Sequence, residues 1–169
     1  MKLLIFNYNK LVQVISILLV LIWMSTIFYF SSEIAVDSSE TSSRFILPLV
    51  KFFRPNLTGT ALYNTVESLQ FIVRKLAHFV LYTIGGILLY NMYSSLGVKE
   101  KMYKVILPFL TGVFYAMTDE IHQFFVEGRS CEIRDVLIDS LGIALGICII
   151  YCICCIINKK TEDRKWKLQ

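Results

Sequence analysis

The sequence predicts an all-α integral membrane protein: a four-transmembrane-helix bundle with a long extracytoplasmic segment between helices 1 and 2. Three observations lead there. Of the 169 residues, 56% are hydrophobic and only 18% charged, and the mean hydropathy is +0.61. The charges cluster between long apolar runs instead of forming the polar faces that a soluble domain of this size needs. One run, Leu11 to Phe30, holds twenty residues without a charge, the length that a hydrocarbon core of about 30 Å requires.

That run, LVQVISILLVLIWMSTIFYF, is the first expected span. It exceeds a typical signal-peptide core, and no A-x-A-like cleavage site follows in SSEIAVDSS, so it reads as an uncleaved anchor. The second span is expected over about 76–93, the third over about 104–126 and the fourth over about 136–157. The second is short, and the third reaches full length only with its polar outer end included.

Lysine and arginine set the orientation. Ten of the seventeen lie at the N-terminus (Lys2, Lys10), between spans two and three (Lys99, Lys101, Lys104) or in the tail 158–169 (Lys159, Lys160, Arg164, Lys165, Lys167). With four spans these fall on one side, and the positive-inside rule makes that side, with both termini, cytoplasmic. The expected location is therefore the cell membrane, multi-pass.

The outer connection, residues 31–75, begins with SSEIAVDSSETSSR, expected as loop or frayed helix. FILPLVKFF and ALYNTVESLQFIVRK follow and are amphipathic, suited to an interfacial helix or to a lid over a site. Asn64 followed by Glu67 resembles a capping box for the helix leading into span two.

The second outer segment, TDEIHQFFVEGRSCEIRDVLIDS at 118–140, is dense in charge. Entering from Lys104, Asp119 lies about 22 Å along its helix, still within the core. His78 and Tyr82 lie about one and two turns inside span two, and Asp139 one turn beyond Asp135 in span four. His78, Tyr82, Asp119, Glu120, His122, Gln123, Asp135 and Asp139 thus fall into one slab of the outer leaflet. Helical phase agrees: Arg74, His78 and Tyr82 share a face, as do Tyr115, Asp119, His122 and Gln123, and Asp135, Asp139, Gly142 and Gly146. Gly142-x-x-x-Gly146 permits close helix approach, with Gly85, Gly86 and Gly112 as further contact points. Ionisable groups at this depth cost at least about 2.5 kcal/mol each unless paired or wet, which makes them candidates for a functional site. The candidate cluster is Arg74, Lys75, His78, Tyr82, Asp119, Glu120, Gln123, Arg129, Asp135 and Asp139.

These residues carry a resemblance. RKLAHFVLYTIGGILLY at 74–90 and FYAMTDEIHQFFVEGRSCEIRDVLIDSLGIALG at 114–146 hold three spaced polar motifs. They are R-K-x-x-H-x-x-x-Y, D-E-x-x-Q-x-F-x-x-x-R and D-V-x-x-[ND]-x-x-G-x-x-x-G. With WMSTIFYFSSE at 23–33, the chain resembles the VanZ-like family of bacterial membrane proteins over roughly residues 20–150. Asp139 stands where many relatives have Asn. The resemblance implies a small membrane protein linked to reduced susceptibility to teicoplanin-type glycopeptides, and it implies no particular reaction. The partners it suggests are membrane lipids, with a lipid-linked cell-wall precursor or a glycopeptide as ligand.

Three readings of the cluster stay open. In one, an enzyme acts on lipid head groups, with His78 or a carboxylate as base and Arg74, Lys75 and Arg129 on a phosphate. In the second, Arg129 and Arg134 grip an anionic lipid without cleaving it. In the third the cluster is interhelical glue: Arg129 and Arg134 pair with Asp119, Glu120 and Asp135, while His78 and Tyr82 hydrogen-bond across helices. Ser130 and Cys131 beside Arg129 do not by themselves make a nucleophile. His78, Asp119, Glu120 and His122 are metal-ligating types, but no H-x-x-x-H or similar spacing links them, so no metal and no cofactor are expected. Cys148, Cys152, Cys154 and Cys155 read as small hydrophobes, the last two also as acylation candidates. The tail reads as a basic membrane anchor; its mixed charges argue against nucleic acid.

Overall fold

A computed structural model describes residues 2–33, 35–129 and 131–166, with side chains for 9–33, 43–129 and 131–160. Ser130 and the tail side chains beyond Lys160 lie outside the described residues. The described elements are helices: α1 (Lys2–Ser31), α2 (Ala35–Phe53), α3 (Gly59–Ser95), α4 (Lys101–Phe124) and α5 (Ile133–Trp166). Among the described residues, three stretches are long and apolar enough to cross a membrane: Asn9–Ser31, Gly59–Ser95 and Ile133–Lys160. Helix α4 falls short by composition, because lysines at one end and Asp119–Glu120 near the other dilute its apolar run.

Helix α3 is the centre, packed against every other helix. Contacts fix the directions. Helices α1 and α4 are parallel: the Tyr115 hydroxyl donates to the Met24 carbonyl at 2.5 Å, and Gln123 reaches Ser31 at a nearly equal sequence offset. Helices α1 and α3 are antiparallel, joined where Gln13 donates to the Ser95 carbonyl at 2.9 Å and Trp23 Nε1 to the Leu81 carbonyl at 2.9 Å. Helices α3 and α5 are parallel, and small residues set their spacing. A Cβ on Gly142 would lie 2.6 Å from the Phe79 carbonyl oxygen; one on Gly146 would collide with that of Thr83, and one on Gly86 with that of Ile143. Helix α3 ends in a Schellman turn. Val98 N–H donates to the Tyr93 carbonyl and Gly97 N–H to that of Ser94, with Gly97 at φ 90, a conformation natural to glycine.

The buried stripe of α1 is Val20, Trp23, Ile27 and Ser31. The Trp23 ring lies against Gly85, edge-on to Tyr82 at 5.8 Å and tilted against Tyr115 at 5.2 Å. With Leu89, Ala116, Ile143 and Ile147 these rings form the core. Outward faces of the long helices carry large apolar side chains, such as Leu18, Ile22, Leu141 and Leu145, as a lipid-facing surface does.

Of the loop or frayed helix expected after α1, the structure shows helix from Ala35. Serine-rich 35–42 belongs to α2, and the helix holding the second expected span begins at Gly59, not near residue 76. Asn64 is therefore inside α3, and Thr58 occupies the N-cap position without a side-chain cap bond. The capping-box expectation fails because the apolar face extends a full turn earlier. Leu57 and Leu62 pack with Val66 and Leu69 against Ile46 and Val50 of α2, and that contact holds the earlier start in helix.

Candidate functional site

Where the C-terminal ends of α1 and α4 meet the N-terminal end of α5 and the middle of α3, polar side chains converge. Helix α3 brings Arg74, Lys75 and His78. Helix α4 brings Asp119, Glu120 and Gln123 along the same buried face as Gly112 and Ala116, one residue every three or four. Helix α5 brings Asp135 and Asp139. Tyr82, fully buried, forms the floor with Trp23 and Tyr115.

Several members are consumed by structure. Lys75 pairs with both carboxylate oxygens of Asp135. Glu120 accepts the Glu132 backbone N–H at 2.9 Å through one oxygen, holding the α4–α5 loop. Gln123 donates to Asp119 Oδ2 at 3.1 Å and approaches the Ser31 hydroxyl at 3.4 Å. Arg129, delivered by a turn with Gly128 at φ 75, donates to the carbonyls of Glu33 at 2.8 Å and Phe30 at 3.1 Å. It thereby closes the C-terminal end of α1, where orphan carbonyls and the helix dipole favour a cation. Burial, then the like charge of Arg74, pull the Arg129 guanidinium below its ordinary pKa. The carboxylate partners expected for Arg129 are not its partners, because α1's carbonyls are nearer.

Two more expectations are corrected. His122 does not face the cleft: it stacks on Phe28 at 4.3 Å and meets the Ser32 hydroxyl at 3.0 Å. Ser32 already donates to the Phe28 carbonyl at 2.6 Å, so His122 is its donor and not its base. Arg134 is exposed and pairs with Glu132 at 3.1 Å. Sequence reasoning missed Trp23 and Ser31 as part of the site's support. Their signal was the spacing 20, 23, 27, 31, which puts both on one stripe of α1.

Among the described residues of the cluster, Asp139, Asp119, Tyr82 and one oxygen of Glu120 are left with polar capacity to spare. Asp139, 1% exposed, accepts no hydrogen bond on either oxygen from the described residues. Asp119 Oδ1 and the Tyr82 hydroxyl are likewise unpartnered. His78 Nδ1 lies 3.8 Å from Asp139 Oδ2, beyond hydrogen-bond range. Two small clefts open beside them. One, of about 20 Å³, is lined by Arg74, Lys75, His78, Gln123, Asp135 and Asp139; the other, of about 60 Å³, by Arg74, Lys75, Gln123, Arg129 and Glu132. These hold a water or a few, far below the roughly 300 Å³ from which ligand pockets start. A whole lipid head group does not fit inside.

An all-helical bundle with an apolar exterior and a buried ionisable cluster at one end defines the class: a helical membrane protein with a polar site between helices. The family sequence model described as VanZ/LLP1 matches residues 16–156. The chain belongs to this VanZ-like family of membrane proteins. No curated protein and no solved structure matches it.

Proposed function

We propose that the protein crosses the cell membrane four times with both termini cytoplasmic, residues 31–75 outside and 158–169 as an inner basic tail. On this reading it lowers susceptibility to teicoplanin-type glycopeptides by binding the anionic group of an envelope lipid or lipid-linked precursor. The alternating directions of α1, α3, α4 and α5 support four crossings. So does α4, whose Asp119 and Glu120 are buried against other helices, so that its polarity is hidden from lipid. Cys131, exposed in the α4–α5 loop, tests the topology. In a variant otherwise lacking cysteine, an impermeant thiol reagent applied to intact cells should label it. Silence at normal expression would reverse the orientation.

Arg74 carries the binding proposal. It lines both clefts beside the like charge of Arg129, and no described carboxylate pairs with it. An anionic oxygen at that mouth relieves the repulsion and gains charge-assisted hydrogen bonds. The glycopeptide half rests on the resemblance to the VanZ-like family alone. The test is teicoplanin susceptibility in a sensitive Gram-positive host, comparing empty vector, wild type, Arg74→Gln and Asp119→Asn at matched membrane levels. Loss of one charged contact costs about 1.5–3 kcal/mol. Protection by Arg74→Gln should accordingly fall about tenfold or more. Equal protection by all forms would remove the site, and no protection by any would remove the resistance phenotype.

The structural reading has its own support: Lys75, Asp135 and Arg129 are all satisfied within the protein. It predicts lost protein level in the variants, not lost protection per molecule. A lipid-cleaving enzyme has less behind it, since no described hydroxyl or thiol is hydrogen-bonded to His78.

A further inference from the structure

The leftover groups share one need. A ring nitrogen of His78, an Asp119 oxygen and an Asp139 oxygen lie within 4.8 Å of one another, each from a different helix. The two carboxylates are 3% and 1% exposed, and three of their four oxygens have no donor among the described residues. The nearby cations do not serve them: Lys75 is held by Asp135 and Arg129 by α1. The 3.8 Å between His78 Nδ1 and Asp139 Oδ2 is long for a hydrogen bond. It is close to the roughly 3.4 Å that separates two ligands on one tetrahedral ion with bonds of about 2.1 Å.

We propose that His78, Asp119 and Asp139 bind a divalent transition-metal ion in a site assembled from α3, α4 and α5. One imidazole nitrogen and two carboxylate oxygens match zinc, and the nitrogen disfavours calcium and magnesium. The cleft of about 20 Å³ beside His78 and Asp139 has room for a single water as fourth ligand. The Tyr82 hydroxyl, fully buried and without a described partner, lies beneath the ligands and is available to hydrogen-bond a bound carboxylate, as groups around metal ligands do. The ion would offset the repulsion of two buried carboxylates that the helix packing forces together.

The proposal goes beyond lipid binding, and its readout is separate from drug susceptibility, so either can fail alone. Wild type, His78→Gln, Asp139→Asn and His122→Gln are purified in detergent in a cysteine-free background, without a histidine tag. Each is loaded with zinc chloride, desalted and assayed for metal by mass spectrometry, and its melting is followed with zinc chloride or EDTA. Wild type and His122→Gln should retain about one zinc and melt higher with it. His78→Gln and Asp139→Asn should hold zinc at least about tenfold more weakly, since even second-layer changes cost that much. A folded wild type that retains no zinc and melts identically with zinc and EDTA overturns the site. Unchanged zinc in both ligand variants overturns it too, placing the metal elsewhere. If Asp139→Asn fails to fold, wild type and His78→Gln decide alone.

Discussion

Trp23→Ala should destabilise the bundle by about 3 kcal/mol, the low end of the range for deleting a buried large aromatic side chain. Trp23 is 5% exposed, donates to the Leu81 carbonyl and fills the space that Gly85 leaves open. Its rings also separate the apolar core from the polar end through Tyr82 and Tyr115. The low end is expected because lipid is as apolar as the core, which leaves lost packing and the lost hydrogen bond as the cost. Circular-dichroism melting in detergent measures it. Trp23→Phe keeps most of the packing and should cost about 1 kcal/mol, the net worth of the hydrogen bond. Equal cost for both would mean that the ring contributes nothing by its size.

Gly146→Ala should cost about 1–3 kcal/mol despite adding one methyl group to a helix. Alanine is the better helix former, so propensity alone predicts stabilisation. The methyl would collide with the Thr83 backbone carbonyl, which cannot rotate away as a side chain would. Helices α3 and α5 must then separate, moving Asp139 away from His78 and loosening the polar end. Ala144→Leu, on the exposed face of the same helix, adds more bulk and should be neutral. A destabilised Ala144→Leu with an unaffected Gly146→Ala would put the α3–α5 interface on the wrong face.

Much of this site was legible because helical geometry is periodic. Residues four apart stack, so spacing alone pairs His78 with Tyr82, Asp119 with Gln123, and Asp135 with Asp139. The small-residue spacing at Gly142 and Gly146 likewise named the α5 face that meets α3. Choice among partners was not legible. The sequence offers Arg129 the carboxylates of Asp119, Glu120 and Asp135, but the position of α1's terminal carbonyls decides which acceptors it takes. His122 shows the same limit: 100° of rotation from its neighbours is enough to turn it from the cleft to Phe28.

Composition, period and motif were enough for the helical membrane class, the faces of the helices and the family, because each of these is a property of the chain read in order. What lies between helices was settled by packing. Contacts with α2 extended α3 back to Gly59, Lys75 was committed to Asp135 and Arg129 to α1, and Asp139, Asp119 and His78 were left facing one another. A three-helix ligand set has no spacing signature, since its members are 41 and 20 residues apart, and only the meeting of the helices sets their distances.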